Sequence, residues 1–307
     1  MTKISLQNAI AQNDKWVSLR SLTAVFVGGT SGIGEYTLRS LAAHYGKSSQ
    51  SLSLYLVGRN NDAASRIFND CRKLCPSGRF TFVKASNLSL IRDVDSASDE
   101  IKKLVSDAST KKGTAACIDF LVMSHADLYI GGRRETKEGL DKTMSMLYYS
   151  RMRFAINLMP LLRASKAAHV ISVFGAGLTL FMEKLAVQNA GKVAFVHLFP
   201  GVVITPAFGN QDLPGWFRAM WTVAKPVVRY VMAISPEEIG ERILYLASPA
   251  LPPRDAPSAT EKGSRKPATS TDGIIGGGAY ACKHDAKTID LISKYKGLKA
   301  AKIDEKV

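Results

Sequence analysis

The residues best placed to do chemistry form a glycine-rich run, Val27-Gly28-Gly29-Thr30-Ser31-Gly32-Ile33-Gly34, directly behind the apolar segment Leu22 to Val27. Glycine has no Cβ. Gly28 can therefore take a tight turn off a strand, Gly32 can admit a pyrophosphate against the backbone, and Gly34 can let a helix pack close to a sheet. A helix opening near Gly32 would aim its free N–H groups and positive dipole end at the phosphates, and Thr30 and Ser31 add hydroxyl donors. A helical pattern (Ile33, Leu38, Leu41, Ala42, Tyr45) follows at once, which is the context a dinucleotide site requires. Arg59, with Asn60 beside it, stands 25 residues beyond Gly34, and from the second strand onward no carboxylate appears before Asp62. At that slot a carboxylate would hold the ribose 2′-hydroxyl of NAD, whereas Arg receives the 2′-phosphate of NADP. The spacing predicts NADP; the alternative is that Arg59 only begins a solvated turn.

The elements that must position these groups alternate. Hydrophobic patterning predicts strands over 22–27, 52–57, 79–84, 117–123, 168–174 and 193–199, with helices near 32–46, 61–74, 90–110, 138–164 and 180–190. That alternation predicts an α/β, Rossmann-type doubly wound parallel sheet with right-handed crossovers. Ligands of such sheets sit beyond the carboxyl ends of the strands, where Gly28, Arg59, Asn87, Ser124, Gly175 and Pro200 all fall.

The spacing Gly-x-x-x-Gly-Ile-Gly resembles the cofactor loop of the short-chain dehydrogenase/reductase family. Leu121 to Ala126 resembles its strand ending in Asn-Asn-Ala-Gly, Pro200 to Thr205 its Pro-Gly-x-x-x-Thr turn, and Ser235 to Gly240 its late helix start. Tyr148 to Arg153 and Phe195 to Thr205 also resemble fungal members associated with secondary metabolism. The resemblance implies one cofactor-binding domain over 1–248 with a substrate lid at 206–234. It implies further that Asn87 and Leu88 meet the adenine, and that Ser124, Pro200, Val203 and Thr205 border the cofactor together with Gly28, Thr30, Ser31, Gly32, Ile33 and Gly34. The lid segment is apolar, aromatic and basic at once (Trp216, Phe217, Trp221, Arg218, Lys225, Arg229), and Pro226 is expected to break it into two pieces. It could close over a hydrophobic substrate, pack as ordinary core helix or, less favoured, lie flat on a membrane surface.

The catalytic side departs from the family pattern. The family's reductases place a Ser at the end of the fifth strand and a Tyr-x-x-x-Lys pair on the next helix, the Lys lowering the phenol pKa for proton transfer. Here Gly175 takes the Ser position, Ser172 falls inside the strand, and no Tyr occurs between Gly175 and Pro200. The stretch Leu178 to Asn189 resembles only the tail of the catalytic helix, with Lys184 as a surface residue. Tyr149 and Arg153, four apart on a helix, are the substitute pair, a phenol beside a permanent cation. His125 is a second candidate base. The family's dimer interface uses the shortened region, so oligomeric state is not carried over.

The 307 residues, 46% of them apolar, suffice for one large domain. The polar first twenty residues lack the core of a signal peptide, and no uninterrupted apolar run reaches a spanning length, so a cytoplasmic location is expected. Cys71 and Cys75 read as packed thiols, and no metal site is expected. The formal net charge is +15, and between Arg151 and Tyr230 nine Lys or Arg face two acids. That excess suits an anionic ligand; without a recognisable nucleic-acid-binding motif, nucleic acid is not expected. Residues 249–273 read as a low-complexity mobile loop, and 274–307 as a last edge strand with a basic, partly helical tail. The expected function is an NADP-dependent oxidoreductase acting on a carbonyl or alcohol of a hydrophobic small molecule. The alternative is a cofactor-binding relative without redox turnover, acting as a binding or regulatory protein or as a non-redox catalyst.

Overall fold

A computed structural model describes residues 3–174, 178–209, 212–256 and 266–291. Seven strands form one parallel sheet: β1 (Leu22–Val27), β2 (Leu52–Gly58), β3 (Arg79–Lys84), β4 (Phe120–Met123), β5 (Ala168–Val173), β6 (Val193–Phe199) and β7 (Ala279–Lys283). Their order is β3-β2-β1-β4-β5-β6-β7, so the chain winds outward through β2 and β3 and then returns to lay β4 beside β1. The reversal opens a crevice at the carboxyl ends of β1 and β4, the switch point of this topology. β1, β2, β4 and β5 are near-continuous apolar runs because a parallel sheet is covered on both faces.

Helices α1 (Leu6–Val17), α2 (Gly32–Gly46) and α3 (Asn61–Leu74), with a later helix, α9 (Pro236–Tyr245), cover one face. On the other lie α4 (Ile91–Lys112), α6 (Ser150–Ala164) and α7 (Thr179–Gln188). Between α4 and α6 come the one-turn α5 (Lys142–Met144) and a π-helical turn, Ser145–Tyr149. The remaining helix, α8 (Gly215–Val231), follows a 3₁₀ turn at Pro206–Gly209 and buries none of its residues.

Several sequence expectations are corrected. The opening segment, read only as polar, folds as α1: Ser5 caps it, and Trp16 and Val17 enter the core while Asn13 bonds to Glu241 of α9. The fourth strand starts at Phe120 rather than 117. Ile118 N–H donates to Leu161 in α6, and the Asp119 carboxylate accepts from Thr23 N–H and from Ser165. The long helix expected over 138–164 is three pieces, and α6 continues through Pro160. Pro226 does not break α8, which runs unbroken from Gly215 to Val231; on so exposed a helix, water can satisfy the carbonyl that proline leaves without a donor. Around 249–273 the flanks are anchored: Leu251, Ala268, Ser270 and Thr271 are buried, Arg254 pairs with Asp272 at 2.7 Å, and Thr271 N–H donates to Ala279. The centre of that segment, Gly175 and the tail beyond Leu291 lie outside the described residues. β7 is the expected edge strand, in parallel register with β6 from Phe195↔Ala279 to Phe199↔Lys283.

Candidate nucleotide and substrate site

A cavity of about 690 Å³ opens at the carboxyl edge of the sheet. Its walls come from the loops after β1, β2, β3, β4, β5 and β6, so residues far apart in the chain meet there. Gly28, Thr30, Ser31, Gly32, Ile33, Arg59, Asn87, Leu88, Ser124, Pro200, Val203 and Thr205 all line it. Gly34 and Asn60 do not. Gly34 lies beneath the loop, where a Cβ would come 2.7 Å from Gly29 Cα and closer still to Ser124 Oγ, so its role is helix-to-sheet packing. The Asn60 side chain caps α3, accepting from Ala63 N–H at 2.9 Å.

The glycine loop has the geometry of a phosphate cradle. Gly28 and Gly32 have φ of 85° and 61°, a region that L side chains rarely adopt. A Cβ on Gly28 would lie 2.6 Å from His125 Cα, and one on Gly32 would meet Thr205 at 3.0 Å. Ser31 precedes α2 in extended conformation, and its side chain makes no capping bond. The first-turn N–H groups of a fifteen-residue helix are thereby presented to the cavity with the positive dipole end. Arg59 is exposed at the rim and has no ion-pair partner among the described residues. Asn87 is partly committed: Oδ1 accepts from Ser89 N–H at 3.1 Å and from Ser89 Oγ at 2.7 Å, leaving only the amide NH₂ for a base edge. The cavity thus brings together unsatisfied helix-end N–H groups, glycines that admit close approach and, at its rim, the Arg59 cation, a set that suits an anionic, phosphate-bearing ligand.

Beneath the cavity lies a cation that sequence reasoning missed. Arg151, on α6, is fully buried and has no carboxylate partner among the described residues. Its guanidinium donates to Met123 O (3.2 Å), Ser172 Oγ (2.6 Å), Val173 O (2.7 Å) and His125 O (2.5 Å), and more weakly to Met146 O (3.3 Å). Burial pushes its pKa down to about 9. The fork gathers the carbonyls at the ends of β4 and β5 and fixes the cavity floor. Ser172 is buried inside the strand as expected, and its partner is Arg151. His125 reaches Ser150 Oγ at 2.9 Å through Nε2, while Nδ1 is buried close to the Val27 backbone. Burial, and then the Arg151 charge, hold the imidazole well below its usual 6.5, so it stays neutral and is a poor proton carrier.

The suggested pair Tyr149 and Arg153 is not brought to the cavity. Arg153 turns to α4 and pairs with Asp95, Nε to Oδ1 at 2.6 Å, holding that carboxyl below its usual range. Tyr149 is 41% exposed and packs edge-on against Tyr148. Neither residue lines the cavity: Tyr149 ends the π-helical turn and Arg153 lies on α6, facing α4.

The ionisable groups that do line the cavity are Asp127, Lys142 and His125, besides Arg59. Lys142 Nζ stands 3.6 Å from Asp127 Oδ2, and Arg134 pairs with the same carboxylate while lying 3.5 Å over the Tyr129 ring. No pattern in the sequence marks this pair, because its members are brought together by an irregular loop. Phe174 and Phe208 are apolar wall. Phe174 holds φ 57° without being glycine, a strained conformation at the end of β5.

No family model matches the chain. It is 36% identical over 298 residues to the short-chain dehydrogenase/reductase SAT2 of Stachybotrys chartarum, covering 85% of this chain and 82% of that protein. It is 33% identical over 311 residues to the oxidoreductase AN1596 of Emericella nidulans, covering 90% and 87%. Among solved structures it is similar to a Pseudomonas aeruginosa RhlG/NADP active-site complex, with a TM-score of 0.54, 18% identity and coverage of 76% of this chain and 92% of that one. L-sorbose reductase from Gluconobacter frateurii, complexed with NADPH and L-sorbose, gives a TM-score of 0.53, 18% identity and the same coverage. The structural likeness concerns the fold.

Proposed function

Because this chain belongs to the short-chain dehydrogenase/reductase family, we propose that it is an NADP-dependent oxidoreductase of a carbonyl or alcohol on a hydrophobic small molecule. The observation that carries the reading is the cavity itself: a glycine cradle at the N-terminus of α2, an Arg59 without an ion-pair partner among the described residues at one end and apolar walls of Phe174, Phe208 and Val203 at the other. Bound there, the cofactor would supply or accept hydride. Gly28 to Ile33 hold its pyrophosphate, Arg59 its 2′-phosphate, and the NH₂ of Asn87 with Leu88 its adenine. Support for NADP also comes from the two similar structures, which contain NADP and NADPH. Secondary-metabolite biosynthesis in the cytoplasm is the setting we propose, on the resemblance of Tyr148 to Arg153 and Phe195 to Thr205 to fungal members of that kind.

The proton that accompanies hydride transfer falls to Lys142. Tyr149 lies outside the lining, and His125 is held neutral, with Nε2 bonded to Ser150 and Nδ1 buried. Lys142 borders the cavity, carries exchangeable protons, and is steadied by Asp127, which Arg134 fixes in turn. A carbonyl oxygen that gains negative charge beside this ammonium would take its proton.

A second reading is favoured by one specific observation: no tyrosine lies between Val173 and Pro200, and α7 spans ten residues only. On that reading the chain binds the cofactor without redox turnover and acts as a binding or regulatory protein. Titration calorimetry with NADPH and NADH, followed by NADPH oxidation across a panel of aromatic and polyketide-like ketones, separates the cases. Binding with turnover supports the first reading and binding without turnover the second. Absence of heat with either coenzyme refutes both.

A further inference from the structure

Helix α8 has two faces that the fold does not use. On a helix of 3.6 residues per turn, Phe217, Trp221, Ala224 and Val228 share the half-buried inner face, and Phe208 of the cavity wall stacks on Trp221 with ring centroids 4.3 Å apart. About a third of a turn away runs an apolar stripe, Trp216, Met220, Val223, Val227 and Tyr230, spaced 4, 3, 4 and 3 residues apart and open to solvent. Val223 is 77% exposed and Tyr230 94%. On the opposite flank Arg218, Lys225 and Arg229 fall on one line and are exposed, and α8 contains no acidic residue. The helix leaves from the carboxyl edge of the sheet, where Phe174 and Phe199 are also exposed and lie ring against ring at 6.1 Å.

We propose that α8 is a membrane-surface helix: its apolar stripe enters the acyl boundary of an anionic bilayer while Arg218, Lys225 and Arg229 meet the lipid phosphates. Charge complementarity selects this occupant. A second copy of the chain would offer the same cations and, on α8, no carboxylate to pair with them. The cavity does not claim the stripe either, because the inner face already supplies what meets Phe208. Segregated apolar and cationic arcs with aromatic residues on the apolar side are the pattern that lies in the interface plane. No helix among the described residues is long and apolar enough to cross a membrane, so the attachment is to one leaflet. The position of α8 beside the cavity mouth would open the site toward molecules dissolved in the lipid. The binding claim stands independently of the cofactor reading.

The test uses the full chain without coenzyme. Purified protein is sedimented with vesicles of phosphatidylcholine alone and of phosphatidylcholine with phosphatidylserine, while tryptophan emission is followed. Binding to the anionic vesicles, a blue shift that Trp216→Phe reduces, and weak binding to neutral vesicles are expected. The triple variant Arg218→Gln, Lys225→Gln, Arg229→Gln should lose about a hundredfold in vesicle affinity. Val223→Ser with Val227→Ser should lose binding with unchanged thermal melting, because both side chains are exposed in the folded protein. No association with anionic vesicles, or association that neither set of substitutions weakens, overturns the proposal. So does light scattering that shows a dimer dissociated by Val223→Asp, since a second copy would then be the occupant.

Discussion

Arg59→Ala is the substitution that separates a phosphate-reading cation from a turn residue. Arg59 lines the rim of the cavity, is exposed, and has no ion-pair partner among the described residues. Its loss therefore strands no carboxylate, and the folded protein should keep its stability to within about 0.5 kcal/mol. A hydrogen bond to a charged group contributes about 1.5–3 kcal/mol. Exposure and salt screening place this one at the lower end, about 1.5–2 kcal/mol, which is roughly a tenfold to thirtyfold rise in the Kd for NADPH. NADH has no 2′-phosphate, so its Kd should change less than about twofold. Calorimetric titration of both coenzymes, at two ionic strengths, measures the difference directly, and the NADPH penalty should shrink at the higher salt. Equal weakening of both coenzymes, or no change in either, would refute the assignment and leave Arg59 a solvated turn residue.

The site and its supports yield further expectations. Lys142→Met should lower the turnover of a ketone by about a hundredfold or more while NADPH binding stays unchanged, whereas an unaltered rate would remove Lys142 from the proton path. Gly34→Ala should destabilise the fold by at least about 1–3 kcal/mol in denaturant titration, because its Cβ would run into Gly29 and Ser124. Arg151→Met removes the donors of three strand-end carbonyls and Ser172, and chemical unfolding should show a loss of about 3 kcal/mol or more. A pH dependence follows from His44, which bridges Asp14 at 2.6 Å and Glu241 at 2.8 Å and so ties α1, α2 and α9 together. Burial opposes its charge, but the Glu241 and Asp14 carboxylates outweigh burial, so its pKa stands above the ordinary 6.5. The protonated ring is thus favoured in the folded state, and its stabilisation is complete below 6.5 and lost as pH rises through the raised value. Glu241 works in the opposite sense: burial raises its pKa, but the bonds from His44 and Asn13 outweigh burial and leave it below 4.5, so its contribution is present above 4.5 and lost as pH falls through the depressed value. Thermal melting should therefore peak in mildly acidic buffer, and His44→Gln should flatten the decline on the alkaline side. An identical pH profile for that variant would discard the bridge as a source of stability.

The amino-acid sequence by itself determined the frame of the molecule, because its signals are local. An apolar strand, a glycine turn and an amphipathic helix act within twenty-five residues of one another, and their order requires a doubly wound sheet whose loops converge at one edge. The glycines at 28, 32 and 34 were legible for the same reason, since Gly28 and Gly32 take the positive φ of the local turn and Gly34 lies against Gly29, although His125, Thr205 and Ser124, which also crowd them, come from distant loops. Tertiary structure alone decided which charged groups line the cavity and what holds its floor. Tyr149 and Arg153 look paired along the chain, yet Arg153 is drawn across to Asp95, 58 residues away. Arg151 reads as one more basic residue until β4 and β5 close around it, and Lys142 meets Asp127 only because an irregular loop folds back. Residues whose partners lie next to them can be read from the chain, whereas a charge is assigned its role by whichever distant carboxylate or carbonyl the packing brings within bonding distance.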